Sequence, residues 1–171
     1  MLLKLTLNGR AVSAEAATTA SLLDVLRDSG LTGTKEGCRV GVCGLCTVIV
    51  DDKPVSSCLY LAACAQDADV WTVEGIAERQ PELIGAFVAA DGMQCGICTP
   101  GQIVTVASMG PEVQGEQAVR RYLSGNLCRC TGYVSIVAAA CAYQAARRSE
   151  DRRDRRGPGC ERHEGKDCGA G

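Results

Sequence analysis

The chain has 171 residues and a formal net charge of -2, with 46% hydrophobic but only 4% aromatic residues. This length leaves room for one domain of ordinary size or two small ones, and aliphatic side chains must supply most of the core. The weak net charge argues against a nucleic-acid or membrane partner, and no segment approaches the roughly 18 consecutive apolar residues of a membrane span.

The first part of the chain predicts a small mixed sheet packed on one helix. A first strand carries leucines at alternate positions and reaches the pair Asn8-Gly9, which is typical of a tight hairpin turn. Ser21 begins a helix with Asp24 in the place of the usual Glu or Gln of a capping box, and Gly30 suits its C-terminal cap. Further strands are expected over residues 10–14, 47–50, 53–56 and 70–73.

The pattern becomes helical after Gly75. Pro81 suits the first turn of a helix, and apolar residues recur at helical spacing behind it. More helices are expected over residues 102–109, 116–124 and 134–146. From Arg147 a mixed-charge run without apolar periodicity predicts a disordered tail. We therefore expect an α+β chain: a mixed-sheet domain over residues 1–76, an all-α four-helix domain over residues 77–146, and a disordered tail over residues 147–171.

The N-terminal segment favours a cytoplasmic protein. Residues 1–7 alternate apolar and polar side chains and then turn, which is typical of a strand and not of a secretory signal. In the cytoplasm structural disulfides are rare, and clustered thiols usually bind metal or do redox work. A disulfide framework is the alternative reading of the twelve cysteines.

Four cysteines in the first part have the spacing of a plant-type [2Fe–2S] site. They follow a C-x4-C-x2-C pattern, with a fourth cysteine one strand later: Cys38, Cys43, Cys46 and Cys58. Flanking glycines suit a loop that turns backbone N–H groups towards an anionic cluster. Zinc sites favour two close pairs of cysteines, so this spacing favours iron and sulfide over zinc.

Four further cysteines form two close pairs in the helical part: Cys95, Cys98, Cys128 and Cys130. A thioredoxin-like redox motif does not account for the second pair. Both pairs are expected just before helices, where free N–H groups and the helix dipole favour an anionic cluster. Spacing alone leaves a structural four-cysteine zinc site open as the alternative to a second [2Fe–2S] cluster. Cys64 and Cys141 stand alone in apolar, alanine-rich helical surroundings and are expected to be small core residues and not ligands.

Three longer motifs resemble the small iron–sulfur subunit of molybdenum hydroxylases, the family of xanthine dehydrogenase, aldehyde oxidoreductase and aerobic carbon monoxide dehydrogenase. They are the run around the first cysteine group (residues 34–48), QCGICTPG (residues 94–101) and LSGNLCRCTGY (residues 123–133). The resemblance covers residues 2–146. Leu45 replaces the alanine usual in the family, and Ile97 replaces a common phenylalanine.

The resemblance implies a plant-ferredoxin-like β-grasp domain followed by a helical [2Fe–2S]-binding domain. The chain would be the non-catalytic electron-transfer subunit of an oxidoreductase. Its two clusters would relay single electrons from molybdopterin in a large partner subunit to FAD in a medium partner subunit, within a trimer or a dimer of trimers. The first cluster would lie nearer the flavin and the second nearer the pterin. The resemblance also implies that Gln94 and Cys130 lie against the pterin, Gln94 as a hydrogen-bonding side chain.

Overall fold

A computed structural model of the chain describes the backbone of residues 1–154 and the side chains of residues 1–149. Five strands and six α-helices follow one another in this part of the chain. In chain order they are β1 (Leu2–Leu7), β2 (Arg10–Glu15), α1 (Leu22–Asp28), β3 (Thr47–Val50), β4 (Lys53–Ser56), β5 (Asp69–Trp71), α2 (Val73–Arg79), α3 (Pro81–Ala89), α4 (Thr99–Ala107), α5 (Gly115–Tyr122) and α6 (Val134–Asp154). The expected α+β class is confirmed.

The five strands form one mixed sheet in the order β2-β1-β5-β3-β4. β1 pairs in parallel with β5, and the other neighbours are antiparallel. The β1–β2 hairpin turns through Asn8 and Gly9, both at positive φ, as the Asn-Gly pair predicts. Leu3, Leu5 and Leu7 point from β1 into the core under α1, because alternate side chains of a strand share one face.

Helix α1 begins with the predicted capping box. The Ser21 hydroxyl accepts a hydrogen bond from the Asp24 amide, and the Asp24 carboxylate accepts one from the Ser21 amide. The aspartate therefore replaces the usual glutamate without loss of either bond. The helix ends at Asp28, and Gly30 follows at φ 87°, the left-handed conformation that closes many helices.

Helices α2 to α6 surround a second core that also receives β3. Its most deeply buried members include Phe87, Leu83 and Ile136, and Ile49 joins them from β3. Two fully buried alanines, Ala139 and Ala140, lie on α6 within this core, where small side chains permit close helix packing. The sheet and the helices thus share apolar contacts and are not two separate bodies.

Two elements differ from expectation. The strand predicted to end at residue 73 ends at Trp71, and the unexpected helix α2 begins at Val73. Helix α6 runs to Asp154 instead of ending at Ala146, so the disorder predicted from Arg147 is wrong for residues 147–154. Arg147 lies over the Tyr143 ring, with its Cζ 5.6 Å from the ring centroid, which extends the packed part of the helix. The rest of the predicted tail lies outside the described residues.

Within residues 1–154 no helix combines the length and the apolar character that a membrane crossing requires.

Candidate metal centres

The first cysteine group lies at one end of the sheet, where the loop between α1 and β3 meets the segment after β4. Cys46 is buried beside β3, and the other three cysteines of the group are half-buried. Positive φ angles at Arg39, Gly41 and Gly44 turn the loop repeatedly. Such turns point successive N–H groups to one side, which makes a pocket for an anion.

Backbone amides hold the Cys38 sulfur. The Val40 and Val42 N–H groups donate to Cys38 Sγ, with N–S distances of 3.4 and 3.3 Å. These bonds, with one from the Cys43 amide, lower the pKa of Cys38 to about 6, because they favour the thiolate. A thiolate is the form of cysteine that binds metal.

The other thiols of the first group lie beside one another. The Cys43 thiol hydrogen-bonds Cys38, and the Cys46 thiol hydrogen-bonds Cys58. Burial raises the pKa of Cys58, and the thiol of Cys46 raises it further. The group therefore consists of two thiol pairs, and at least one sulfur is poised to lose its proton.

Arg39 ties this loop to the start of α1. Its guanidinium lies 2.7 Å from an Asp24 carboxylate oxygen and 2.6 Å from a Glu36 carboxylate oxygen. The hydrogen bond from Arg39 lowers the pKa of both carboxyl groups. Arg39 stands between Cys38 and Val40, so the capping aspartate of α1 and the first ligand loop form one unit.

The second cysteine group brings together the ends of two loops. Cys95 and Cys98 precede α4, and Cys128 and Cys130 precede α6, as the sequence predicts. The Cys95 and Cys130 sulfurs are 3.5 Å apart, far beyond the S–S bond length of about 2.05 Å in a disulfide. Cys98 hydrogen-bonds Cys128. This group also consists of two thiol pairs.

One thiol of each pair in the second group is acidified while the other retains its proton. An Ile97 amide bond lowers the pKa of Cys95, whereas the hydrogen bond to Cys95 raises that of Cys130. Burial opposes ionisation of Cys128, but hydrogen bonds from Thr131, the Cys130 amide and the Cys98 thiol together outweigh it and lower the pKa to about 7. Burial raises the pKa of Cys98 to about 12.

A cleft of about 560 Å³ opens over the second group. It is lined by all four cysteines, by apolar and aromatic neighbours and by one arginine: Leu45, Cys95, Ile97, Cys98, Leu127, Cys128, Arg129, Cys130 and Tyr133. Tyr133 fixes one edge, because its hydroxyl accepts a hydrogen bond from the Cys128 amide at 2.9 Å. The cleft leaves Cys95 and Cys130 accessible from outside.

The paired thiols fit a [2Fe–2S] cluster. Such a cluster is held by four cysteine thiolates shared between two irons, so each iron takes two. Among the described residues, no three Cys, His, Asp or Glu side chains converge as they would around one metal ion. The pairwise arrangement and the amide bonds to sulfur are therefore the features that suit the two-iron group.

Three further positions that the sequence brought into question are not members of these groups. Gln94 is exposed on the loop before α4, next to Cys95. Cys64 is exposed in a 3-10 turn (Ala62–Ala65), so the expectation that it is a core residue is wrong, whereas Cys141 is half-buried on α6 and packs against the second core. Spacing did not single out Thr131, Tyr133 or Asn126, although all three lie within the motif that carries the last two cysteines.

Two domain families match the chain, one after the other. The family described as a 2Fe-2S iron-sulfur cluster binding domain matches residues 5–71, and the one described as a [2Fe-2S] binding domain matches residues 72–141. Each match contains one of the two cysteine groups. The matches thus favour iron and sulfide at the second group, where spacing alone left zinc open.

Curated relatives match over nearly their whole length. The nicotinate dehydrogenase small FeS subunit of Eubacterium barkeri is 46% identical over 143 residues, which cover 80% of this chain and 90% of that subunit. The xanthine dehydrogenase iron-sulfur-binding subunit of Escherichia coli O157:H7 is 41% identical over 138 residues, covering 77% and 87%. The chain belongs to the small iron–sulfur subunits of the molybdenum hydroxylase family.

Solved structures agree with this membership. The quinoline 2-oxidoreductase of Pseudomonas putida 86 superposes with a TM-score of 0.80 at 40% identity, over 88% of this chain and 98% of that chain. The aldehyde oxidoreductase of Desulfovibrio gigas gives a TM-score of 0.81 at 36% identity, over 88% of this chain but 17% of that one. As a molybdenum hydroxylase small subunit, the chain carries two [2Fe–2S] clusters and serves electron transfer in an oxidoreductase with larger partner subunits.

Proposed function

We propose that the chain relays single electrons from a molybdopterin site in a large partner subunit to FAD in a medium partner subunit. The observation that carries this proposal is the contact between the two cysteine loops. The Leu127 amide, next to Cys128, donates a hydrogen bond to the Cys43 carbonyl with an N–O distance of 2.9 Å. Two redox centres in one chain whose ligand loops touch suit a relay better than two separate carriers.

Each of the two parts of the chain is proposed to hold one cluster. Residues 1–76 are proposed to form a plant-ferredoxin-like β-grasp domain, and residues 77–146 a four-helix domain. The proposed ligands are Cys38, Cys43, Cys46 and Cys58 for the first cluster, and Cys95, Cys98, Cys128 and Cys130 for the second. The order β2-β1-β5-β3-β4 and the placement of each cysteine pair before a helix support this assignment.

Hydrogen bonds and burial set the protonation state of the cysteine thiols before a cluster binds. A bound [2Fe–2S] cluster supplies a one-electron carrier with net negative charge. The amides at Val40 and Val42 compensate this charge at Cys38, and the Ile97 amide does so at Cys95. Cys98 holds its proton at neutral pH, so it must release that proton when it becomes a ligand.

The two ends of the relay face different partners in this proposal. The open cleft at Cys130 and the exposed Gln94 beside Cys95 suit contact with a pterin held by the large subunit. The first group then faces the flavin subunit. The complex is proposed to be a trimer or a dimer of trimers in the cytoplasm, where thiols stay reduced. Substrate recognition belongs to the large partner.

Ligand variants test the relay. Cys43→Ser is expected to abolish the signal of one cluster in the electron paramagnetic resonance spectrum of the reduced complex, and Cys130→Ser that of the other. A hydroxyl is a harder ligand than a thiolate and stays protonated at neutral pH. Electron delivery to the flavin is expected to fail in both variants.

Two lone cysteines provide the matched control. Cys64→Ser and Cys141→Ser should retain both signals and the full iron and acid-labile sulfide content. Zinc with little sulfide in the unmodified protein would overturn the proposal, and so would a cluster that requires Cys64 or Cys141. Purification of the native chain should also bring down a molybdopterin subunit and an FAD subunit.

A further inference from the structure

Asn126 occupies the boundary between the two cysteine loops. It is 5% exposed and lies two residues before Cys128. Its side-chain Nδ2 donates to the Gly44 carbonyl at 3.0 Å and to the Thr47 hydroxyl at 3.3 Å. Gly44 and Thr47 flank Cys46 in the first loop, so Asn126 reaches from the second ligand loop into the first.

Helix α4 holds Asn126 from the opposite side. The Asn126 Oδ1 lies 3.0 Å from the Thr105 hydroxyl, and the Asn126 carbonyl accepts a hydrogen bond from Gln102 Nε2 at 2.8 Å. Thr105 and Gln102 are both buried. Every polar atom of the Asn126 side chain therefore has a partner, which suits a buried amide.

Glycines make the close approach possible. A Cβ atom on Gly101, in α4, would clash with the Gly44 carbonyl oxygen. Gly44 has φ 68°, which side chains other than glycine rarely adopt. The first ligand loop thus rests directly on the backbone of α4, and Asn126 fastens it there.

The hydrogen bonds of Asn126 position the backbone hydrogen bond that joins the two cysteine loops. With Gly44 held, the preceding carbonyl of Cys43 meets the Leu127 amide at 2.9 Å. A bonded route between the two cysteine groups runs through Cys43, this hydrogen bond, Leu127 and Cys128. Electrons tunnel more readily along covalent and hydrogen bonds than across an empty gap, so the rate along this route depends on the contact staying short.

We propose that Asn126 is the positioning residue for electron transfer between the two clusters, because it holds the Cys43 carbonyl against the Leu127 amide. This inference rests on the proposed relay. In the step concerned, one electron leaves the centre at Cys128 and one electron arrives at the centre at Cys43. The donor is oxidised and the acceptor reduced by one electron each. No bond forms or breaks, and no proton is transferred.

Asn126→Ala in the assembled holo-complex tests the inference with two measurements. The first is the magnetic dipolar splitting between the two reduced clusters, which reports their separation and orientation. The second is the rate of flavin reduction after a rapid one-electron pulse to the second cluster. We expect a changed splitting and a loss of rate, while both clusters remain present and their individual reduction potentials are kept. A residue that only stabilised the fold would lower the melting temperature and leave the splitting unchanged.

Two companion variants keep the test decisive. Thr105→Val removes only the hydroxyl beside Asn126 Oδ1 and nearly preserves the shape of the side chain. It is therefore expected to change the splitting and the rate in the same direction but by less. This variant replaces Asn126→Ala in the test if Asn126→Ala loses a cluster. Gly125→Ala is the control, because its new Cβ would meet no atom within 4 Å. The inference would be overturned if Asn126→Ala kept both clusters and showed an unchanged splitting and rate. If Asn126→Ala loses a cluster, the same result in Thr105→Val would overturn it. Absence of either cluster from the unmodified chain would instead refute the relay.

Discussion

At the scale of single residues, individual cysteines of the two groups have pKa values shifted in opposite directions from that of an ordinary thiol. Amide hydrogen bonds lower the pKa of Cys38 to about 6, whereas burial raises that of Cys98 to about 12. In the cluster-free chain, alkylation of Cys38 by iodoacetamide should therefore rise through pH 6 and level off above pH 7. Alkylation of Cys98 should still be rising at pH 9, because the thiolate is the nucleophile. Mass spectrometry of each peptide measures both profiles, and superposable profiles would contradict the pKa difference.

The Arg39 ion pairs make a second prediction at this scale. Arg39 lowers the pKa of Asp24 and of Glu36, so both carboxylates stabilise the folded chain at neutral pH. This stabilisation is present above the unfolded pKa values near 4 and is lost as the pH falls through the lower folded values. Arg39→Gln should thus lower the melting temperature more at pH 7 than at pH 3, and less in high salt. Arg121→Gln, on α5, is the control.

At the scale of elements, two exposed glycines should respond oppositely to the same change. Gly30 follows α1 at φ 87°, and Gly85 lies within α3; a new Cβ would meet no atom within 4 Å at either. Gly30→Ala should lower the free energy of unfolding by about 1–2 kcal/mol, because the left-handed conformation disfavours a side chain. Gly85→Ala should raise it by roughly 0.5–1 kcal/mol, because alanine loses less backbone entropy in a helix. Urea unfolding of both variants distinguishes the signs.

Local patterns predicted most elements, and long-range contacts account for the exceptions. The turn at Asn8 and the cap at Ser21 depend on neighbouring residues, so the sequence reveals them. Local pattern does not predict helix α2, because glycine at position 75 lowers the helix propensity of its first turn. In the structure the missing side chain of Gly75 leaves room for Asn8, which accepts a hydrogen bond from the Thr72 amide at 2.8 Å. That tertiary packing overrides the low helix propensity of glycine.

In the candidate site, too, local sequence patterns predicted some residues and long-range contacts determine others. The spacing of the cysteines in the sequence predicted all eight members of the two groups, because metal geometry constrains ligands that are close in sequence. The hydrogen bonds of Asn126 join it to Gly44 and Thr47, about 80 residues earlier. No local pattern encodes such a pairing. Only the fold shows that Asn126 lies between the two cysteine groups.

At the scale of the whole molecule, each cysteine group has a patch of exposed apolar side chains beside it. Val40, Val42 and Leu59 are more than half exposed around the first group, and Ile97 and Leu127 are at least half exposed around the second. Clustered exposed apolar side chains mark interaction surfaces. In the proposed complex each patch would be covered by one partner subunit, and each would bring one cysteine group close to that partner's cofactor.

Charged substitutions at the two patches should separate the partners independently. Ile97→Asp is expected to release the molybdopterin subunit and Val42→Asp the FAD subunit, because each places a carboxylate in a contact that excludes water. Both variants should keep two clusters, since neither side chain is a ligand. Val88→Asp provides the control: this side chain is 58% exposed on α3, outside both patches, and its replacement should leave the complex whole. Size-exclusion chromatography with flavin and molybdenum analysis measures the outcome. Retention of both partners by either patch variant would show that its patch does not face the partner assigned to it.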